Sequence, residues 1–252
     1  MKAICMGTLF AALLGLGSLV LAPVARAEII VLQSDVDGLA GGSLLASDVV
    51  LDIPDGRTIK VILPSGATKT VKGPFAGRAG ALTGGVSEKF GLWSTLKELV
   101  RGGADQRKTV GAVRSLAPNA EASAPGRFSW TVVPVQARGT VCVEADSDAI
   151  ELSRPHGLQT ARAIVIDSKT NLRAEIRWTG NNDTTAWPDE FEPRDGGSYV
   201  ILMAKQPFRL IKIVEIPKPL PGEGDLLAVL YEAKCMHQLR AWLDGAINHD
   251  SR

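Results

Sequence analysis

Val49-Val50-Leu51-Asp52-Ile53-Pro54-Asp55-Gly56-Arg57-Thr58-Ile59-Lys60-Val61-Ile62-Leu63 reads as strand, turn, strand. In its second half Ile59, Val61 and Leu63 fall on one side of an extended chain, and Thr58 and Lys60 on the other. That period of two is the mark of a half-buried strand. Pro54 presets φ, Asp55 supplies a side-chain acceptor and Gly56 tolerates positive φ, the chemistry of a short hairpin connection. Pro64-Ser65-Gly66 repeats it ahead of a further strand from Ala67 to Lys72, and Ile29 to Leu32 reads as a strand upstream. The segment from Glu28 to about Gly80 is therefore expected to form a β-meander.

Beyond the meander the period changes. Phe90, Trp93, Leu96 and Leu99 recur at three-residue steps with Val100 beside them, which predicts a helix over 87–101. Ser87 is placed to cap it and Gly102-Gly103 to end it. Residues 104–125 carry Gly, Ala, Asn, Ser, Pro and basic residues without periodicity and read as a linker between a first module, 28–103, and a second, 126–252.

Strand signals return in seven runs: Phe128 to Val135, Thr140 to Val143, Ala149 to Leu152, Ala161 to Ile166, Arg173 to Trp178, Ser198 to Met203 and Phe208 to Ile216. Turn residues separate them, which predicts an immunoglobulin-like antiparallel β-sandwich. Pro217 to Pro221 closes the run. From Asp225 to about Asn248, Leu226, Leu230, Ala233, Leu239, Trp242, Leu243 and Ala246 pattern a terminal α-helix. The expected fold is mainly β with a few helices: a β-meander module, a linking helix, the sandwich and the terminal helix.

Composition agrees. Among 252 residues, 45% are hydrophobic and 22% charged, an ordinary globular balance that can supply a core. Only 5% are aromatic, while 26 Gly and 14 Pro punctuate the chain, which favours short strands and turns over a helical bundle.

Residues 1–27 read as an export signal. Lys2 gives a basic start, an uncharged apolar run extends from Phe10 to Leu21, and Ala25-Arg26-Ala27 is a small-x-small cleavage site. Gly15, Gly17 and Ser18 interrupt the run, so cleavage fits better than a membrane anchor. Removing Lys2 and Arg26 turns 28 basic and 27 acidic residues into 26 and 27, a net charge near −1. A strongly basic nucleic-acid binder is excluded. No second apolar stretch long enough to span a bilayer follows, so the expected location is the bacterial periplasm or outside the cell.

Cysteine usage fits an oxidising compartment. Cys5 leaves with the signal, and Cys142 and Cys235 remain as an even pair with a structural disulfide as their natural use. Such a bridge would staple the terminal helix to the sheet.

Few residues support catalysis. His156, His237 and His249 form no HxxxH spacing, and neither a GxSxG elbow nor a phosphate-cradling Gly loop occurs. No metal and no cofactor are expected. Asp189, Glu190, Glu192 and Asp195 form the sharpest acidic group, able in principle to act as an acid and base on a sugar or to hold calcium, but most simply a solvated loop. Asp146, Asp148 and Glu151 imitate part of a calcium loop without its glycine. Among the aromatics Trp178, Trp187, Phe191, Tyr199 and Phe208, most suit core packing. Trp187 precedes a proline in a polar loop and is the candidate partner contact.

Residues 41–66, Gly-Gly-Ser-Leu-Leu-Ala-Ser-Asp-Val-Val-Leu-Asp-Ile-Pro-Asp-Gly-Arg-Thr-Ile-Lys-Val-Ile-Leu-Pro-Ser-Gly, resemble the β-repeat of FecR-type periplasmic domains. The resemblance implies a periplasmic sensing or scaffold module and carries over no catalytic residues. The cytoplasmic part and transmembrane helix of the signalling members have no counterpart here. The whole layout resembles exported bacterial proteins, which supplies architecture and no activity. The functional expectation is a non-enzymatic periplasmic interaction or scaffold protein with a protein partner in the cell envelope. The alternatives are a sugar or small-molecule binding module and a carboxylate-dependent hydrolase.

Overall fold

Ile29, Ile30, Val31 and Leu32 are all fully buried, because the strand they form, β1 (Glu28–Ser34), is covered on both faces. A continuous apolar run is what such a strand requires. The computed structural model describes residues 28–85, 87–89, 91–109, 128–147, 149–154, 161–180, 182–204 and 206–248. The predicted export segment, most of the predicted linker, Phe90, Asp148, His156 and His249 lie outside them.

In the N-terminal half, β1 is followed by β2 (Leu44–Ala46), β3 (Val50–Ile53), β4 (Thr58–Ile62), β5 (Thr68–Lys72) and β6 (Phe75–Arg78). A four-stranded antiparallel sheet has the order β2-β1-β4-β5, and β3 pairs with β6 as a separate ribbon. Ile29 and Val31 face a core with Leu51, Ile59, Val61 and Leu82, while Ile30, Leu32 and Ile62 face the opposite way.

The Pro64-Ser65-Gly66 hairpin joins β4 to β5 as the turn chemistry predicts, with Gly66 at φ 87. The Pro54-Asp55-Gly56 turn also forms, with Gly56 at φ 75 and Arg57 N–H donating to Pro54 O at 3.1 Å. It does not make a hairpin. Both sides of β4 are taken, by β1 and β5, so β3 turns away to β6.

Helix α1 spans Leu92–Thr109, shifted from the predicted 87–101. Gly91 at φ 84 cannot belong to a right-handed helix, so the helix starts after it and not at Ser87. At the other end Gly102-Gly103 is helical, since a glycine costs a helix about 1 kcal/mol without forbidding it.

The C-terminal half holds β7 (Val132–Pro134), β8 (Gly139–Glu144), β9 (Glu151–Ser153), β10 (Ala161–Asp167), β11 (Arg173–Trp178), β12 (Thr184–Ala186), β13 (Ser198–Met203) and β14 (Arg209–Ile216). A five-stranded sheet, β11-β10-β13-β14-β8, packs on a three-stranded one, β12-β9-β7, across a core containing Val133, Val141, Leu152, Val165, Trp178 and Ile213. Most pairings are antiparallel. Two are parallel, β14 with β8 and β7 with β9, a departure from the all-antiparallel expectation. Neither pair is joined directly by a turn, so no hairpin dictates its direction.

The predicted terminal helix is two helices, α2 (Glu223–Glu232) and α3 (Met236–Asn248). Lys234 at φ 61 makes the break. Lys234 N–H donates to Tyr231 O at 3.0 Å and Cys235 N–H to Leu230 O at 2.8 Å, the paired bonds of a Schellman cap. Both helices and α1 share one core with the far face of the N-terminal sheet and the outer face of β8 and β14. Its members include Ile30, Leu32, Trp93, Cys142, Ile216 and Leu239. Lys60 of β4 pairs with Glu223 of α2 at 2.6 Å on the same side.

Candidate functional site

The loop between β12 and β13 carries the residues singled out as a possible ligand site. Trp187 is 7% exposed, and its indole N–H donates to Phe191 O at 3.0 Å. Its ring meets Tyr199 edge-on with centroids 5.0 Å apart, and Phe191 stacks on Tyr199 at 6.0 Å. The three rings belong to the sandwich core. A tryptophan before a proline in a polar loop has thus been drawn inward by two further aromatics, with the Trp187 N–H and the Tyr199 hydroxyl both satisfied at the rim.

That rim is held by ions. Tyr199 O–H donates to Glu192 O and accepts from Arg194 N–H, both at 3.1 Å. Arg194 donates to both oxygens of the buried Asp167, at 2.8 and 2.9 Å. Burial pushes the Asp167 carboxyl up. Hydrogen bonds from Lys169 N–H, Arg194 and Thr170 outweigh burial and hold the group below the usual carboxylate value.

A shallow cleft of about 400 Å³ lies above this pair, lined by Ser168, Lys169, Arg194, Asp195, Gly196, Gly197 and Ser198. Of the four loop carboxylates only Asp195 lines it, and Asp195 already accepts from Glu215 N–H at 3.0 Å. Asp189, Glu190 and Glu192 are exposed. Among the described residues no group of His, Cys, Asp and Glu is gathered to hold a metal ion. Asp146 occupies a left-handed turn position at φ 53, a local backbone role.

Cys142 and Cys235 lie at disulfide distance, with Cα atoms 5.8 Å apart and no exposure. The bridge ties β8 to the start of α3. Beside it the Gln238 amide closes the open edge of β8: Cys142 N–H donates to Oε1 at 2.7 Å, and Nε2 donates to Cys142 O at 2.6 Å and Ser129 O at 3.0 Å. His237 also lies on α3, with Nδ1 buried and unpartnered.

A different surface stands out on the outer face of the five-stranded sheet. Ile164 pairs across to Leu202, and the next row runs from Ile166 through Val200 to Leu210. Phe208, just before β14, is 66% exposed, Leu210 51%, Ile164 40% and Leu202 37%. Four large apolar side chains on adjacent strands make a contiguous patch, which marks contact surfaces more often than isolated exposed residues do. Sequence did carry a signal for it. Ala163-Ile164-Val165-Ile166 and Val200-Ile201-Leu202-Met203 do not alternate, so their strands are apolar on both sides. What the pattern omitted was that only part of this face is covered.

Further along β14 the same face is closed, since Val214 and Ile216 pack under the helices with Cys142. No helix among the described residues is long and apolar enough to cross a membrane. No protein-family model, curated protein or solved structure matches the chain.

Proposed function

We propose that this protein is a non-enzymatic interaction or scaffold protein of the bacterial periplasm, holding a protein partner on the outer face of its five-stranded sheet. The observation that carries the reading is the pair of apolar rows, Ile164–Leu202 and Ile166–Val200–Leu210, left open beside a stretch of the same face that the chain covers itself. Exposed aliphatic rows on a hydrogen-bonded sheet are rigid before binding, so docking costs little ordering entropy. The export segment at residues 1–27 and the Cys142–Cys235 pair support an oxidising compartment. A sugar-binding reading draws less support, because Trp187 is buried with its N–H occupied.

The test places a photo-crosslinking amino acid at Phe208, at Leu210 and, as a control, at the exposed Asp189 in the exported protein, inside cells of its source. Protein adducts from the two sheet positions and not from the control are the expected result. Their absence from a folded, abundant protein overturns the reading.

A further inference from the structure

We propose that the protein segment received by this sheet face is acidic as well as apolar. The inference rests on the reading of the face as a docking surface and adds the chemistry of what docks there. The register places Arg177 opposite Arg162, Glu175 opposite Ile164 and Arg173 opposite Ile166, so these charges stand on the same outward side as the apolar rows. Beyond the patch on β14, Lys212 lies two residues from Leu210 and is exposed on the same side. Among the described residues of these strands, four basic groups and one acid therefore border the open apolar rows.

Glu175, the acid of this set, is already committed. Glu175 accepts from Arg177 Nε at 3.0 Å and lies 3.7 Å from Arg162. Arg173 and Lys212 have no ion pair among the described residues. They stand on opposite flanks of the patch, one on β11 and one on β14.

Charge complementarity selects among occupants. Two copies packed face to face would bring like charges together, which opposes self-association through this patch. Anionic phospholipid would satisfy the charges. Yet the patch is a sheet face with aliphatic rows, and where the chain covers the same face it does so with its own helices, over Val214 and Ile216. Peptide packing continues that arrangement. The occupant inferred is a protein segment that sets Leu, Ile or Phe on the rows and Asp or Glu toward Arg173 and Lys212.

The experiment selects a displayed library of random 15-residue peptides on the immobilised, oxidised protein. Binding of the enriched peptides is then measured by fluorescence anisotropy. Enriched peptides are expected to combine Asp or Glu with Leu, Ile or Phe. Leu210→Glu should weaken their binding by about tenfold or more. The double variant Arg173→Glu/Lys212→Glu should weaken it several-fold, and added salt should erode what the wild type retains. Unchanged melting temperatures show that the variants remain folded, as expected for exposed positions.

Enrichment of basic or uncharged peptides overturns the inference, and so does failure to enrich any peptide that depends on Leu210. Leu210-dependent dimerisation, or binding only to phosphatidylglycerol vesicles, overturns it as well. The crosslinking test separates the two proposals. Adducts from Phe208 and Leu210 to a segment without carboxylates leave the interaction role standing and remove only its acidic specificity, whereas no protein adduct removes both.

Discussion

Gln238 shows how much one side chain can decide. Its amide reproduces the hydrogen bonds of a neighbouring strand, taking the N–H and C=O of Cys142 on the side of β8 away from β14. Replacing it with Ala strands both groups in a buried site, so Gln238→Ala should cost about 1–3 kcal/mol in urea unfolding. The neighbouring His237 acts through pH. Burial lowers its pKa and the Arg240 charge lowers it further, so the native imidazole stays neutral where the unfolded one takes up a proton. Stability should therefore fall as pH drops below about 6.5, and His237→Leu should flatten that slope between pH 5 and 7. Asp167 will not confuse the measurement. Its pKa is depressed below 3.8, so its contribution is present above that value and is lost only at lower pH.

At the scale of elements, boundaries follow backbone conformation more closely than side-chain period. The apolar steps through Phe90 and Trp93 suggested a helix from Ser87, yet Gly91 holds positive φ and delays it to Leu92. The apolar pattern of the terminal helix likewise runs on past the break at Lys234. Lysine at the left-handed position of a Schellman cap pays a steric cost that glycine avoids. Lys234→Gly should raise stability by up to about 1 kcal/mol, read as a higher melting temperature with the same helical circular dichroism. A loss of stability would mean that the Lys234 side chain holds something the cap geometry does not reveal.

At the scale of the molecule, one helical layer serves two sheets. Leu239 is fully buried in a core that also contains Ile30 and Leu32 from the N-terminal sheet and Cys142 and Ile216 from the C-terminal one. Leu239→Ala should cost about 2–5 kcal/mol. It should lower hydrogen-exchange protection in β1 and β8 together. Loss confined to one of them would show that the two sheets do not share stability through the helices.

The sequence by itself determined the β-rich class, most strands, the terminal helical region and the pairing of Cys142 with Cys235. Each of these is written locally or by elimination: a period of two, turn residues at Pro64-Ser65-Gly66, a period near 3.6, and two cysteines outside the segment read as an export signal. Trp178 was legible as a core residue because alternation put it with Ala174 and Ile176, and all three are buried. Trp187 was harder to read, since a polar loop does not announce the rings of Phe191 and Tyr199 waiting behind it. Only the tertiary structure decided that β3 leaves β4 for β6, that β8 and β14 run parallel, and that the apolar rows of β10, β13 and β14 are covered at one end and open at the other. Strands of similar composition can pair in many ways, and the choice depends on which faces and edges other elements have already occupied.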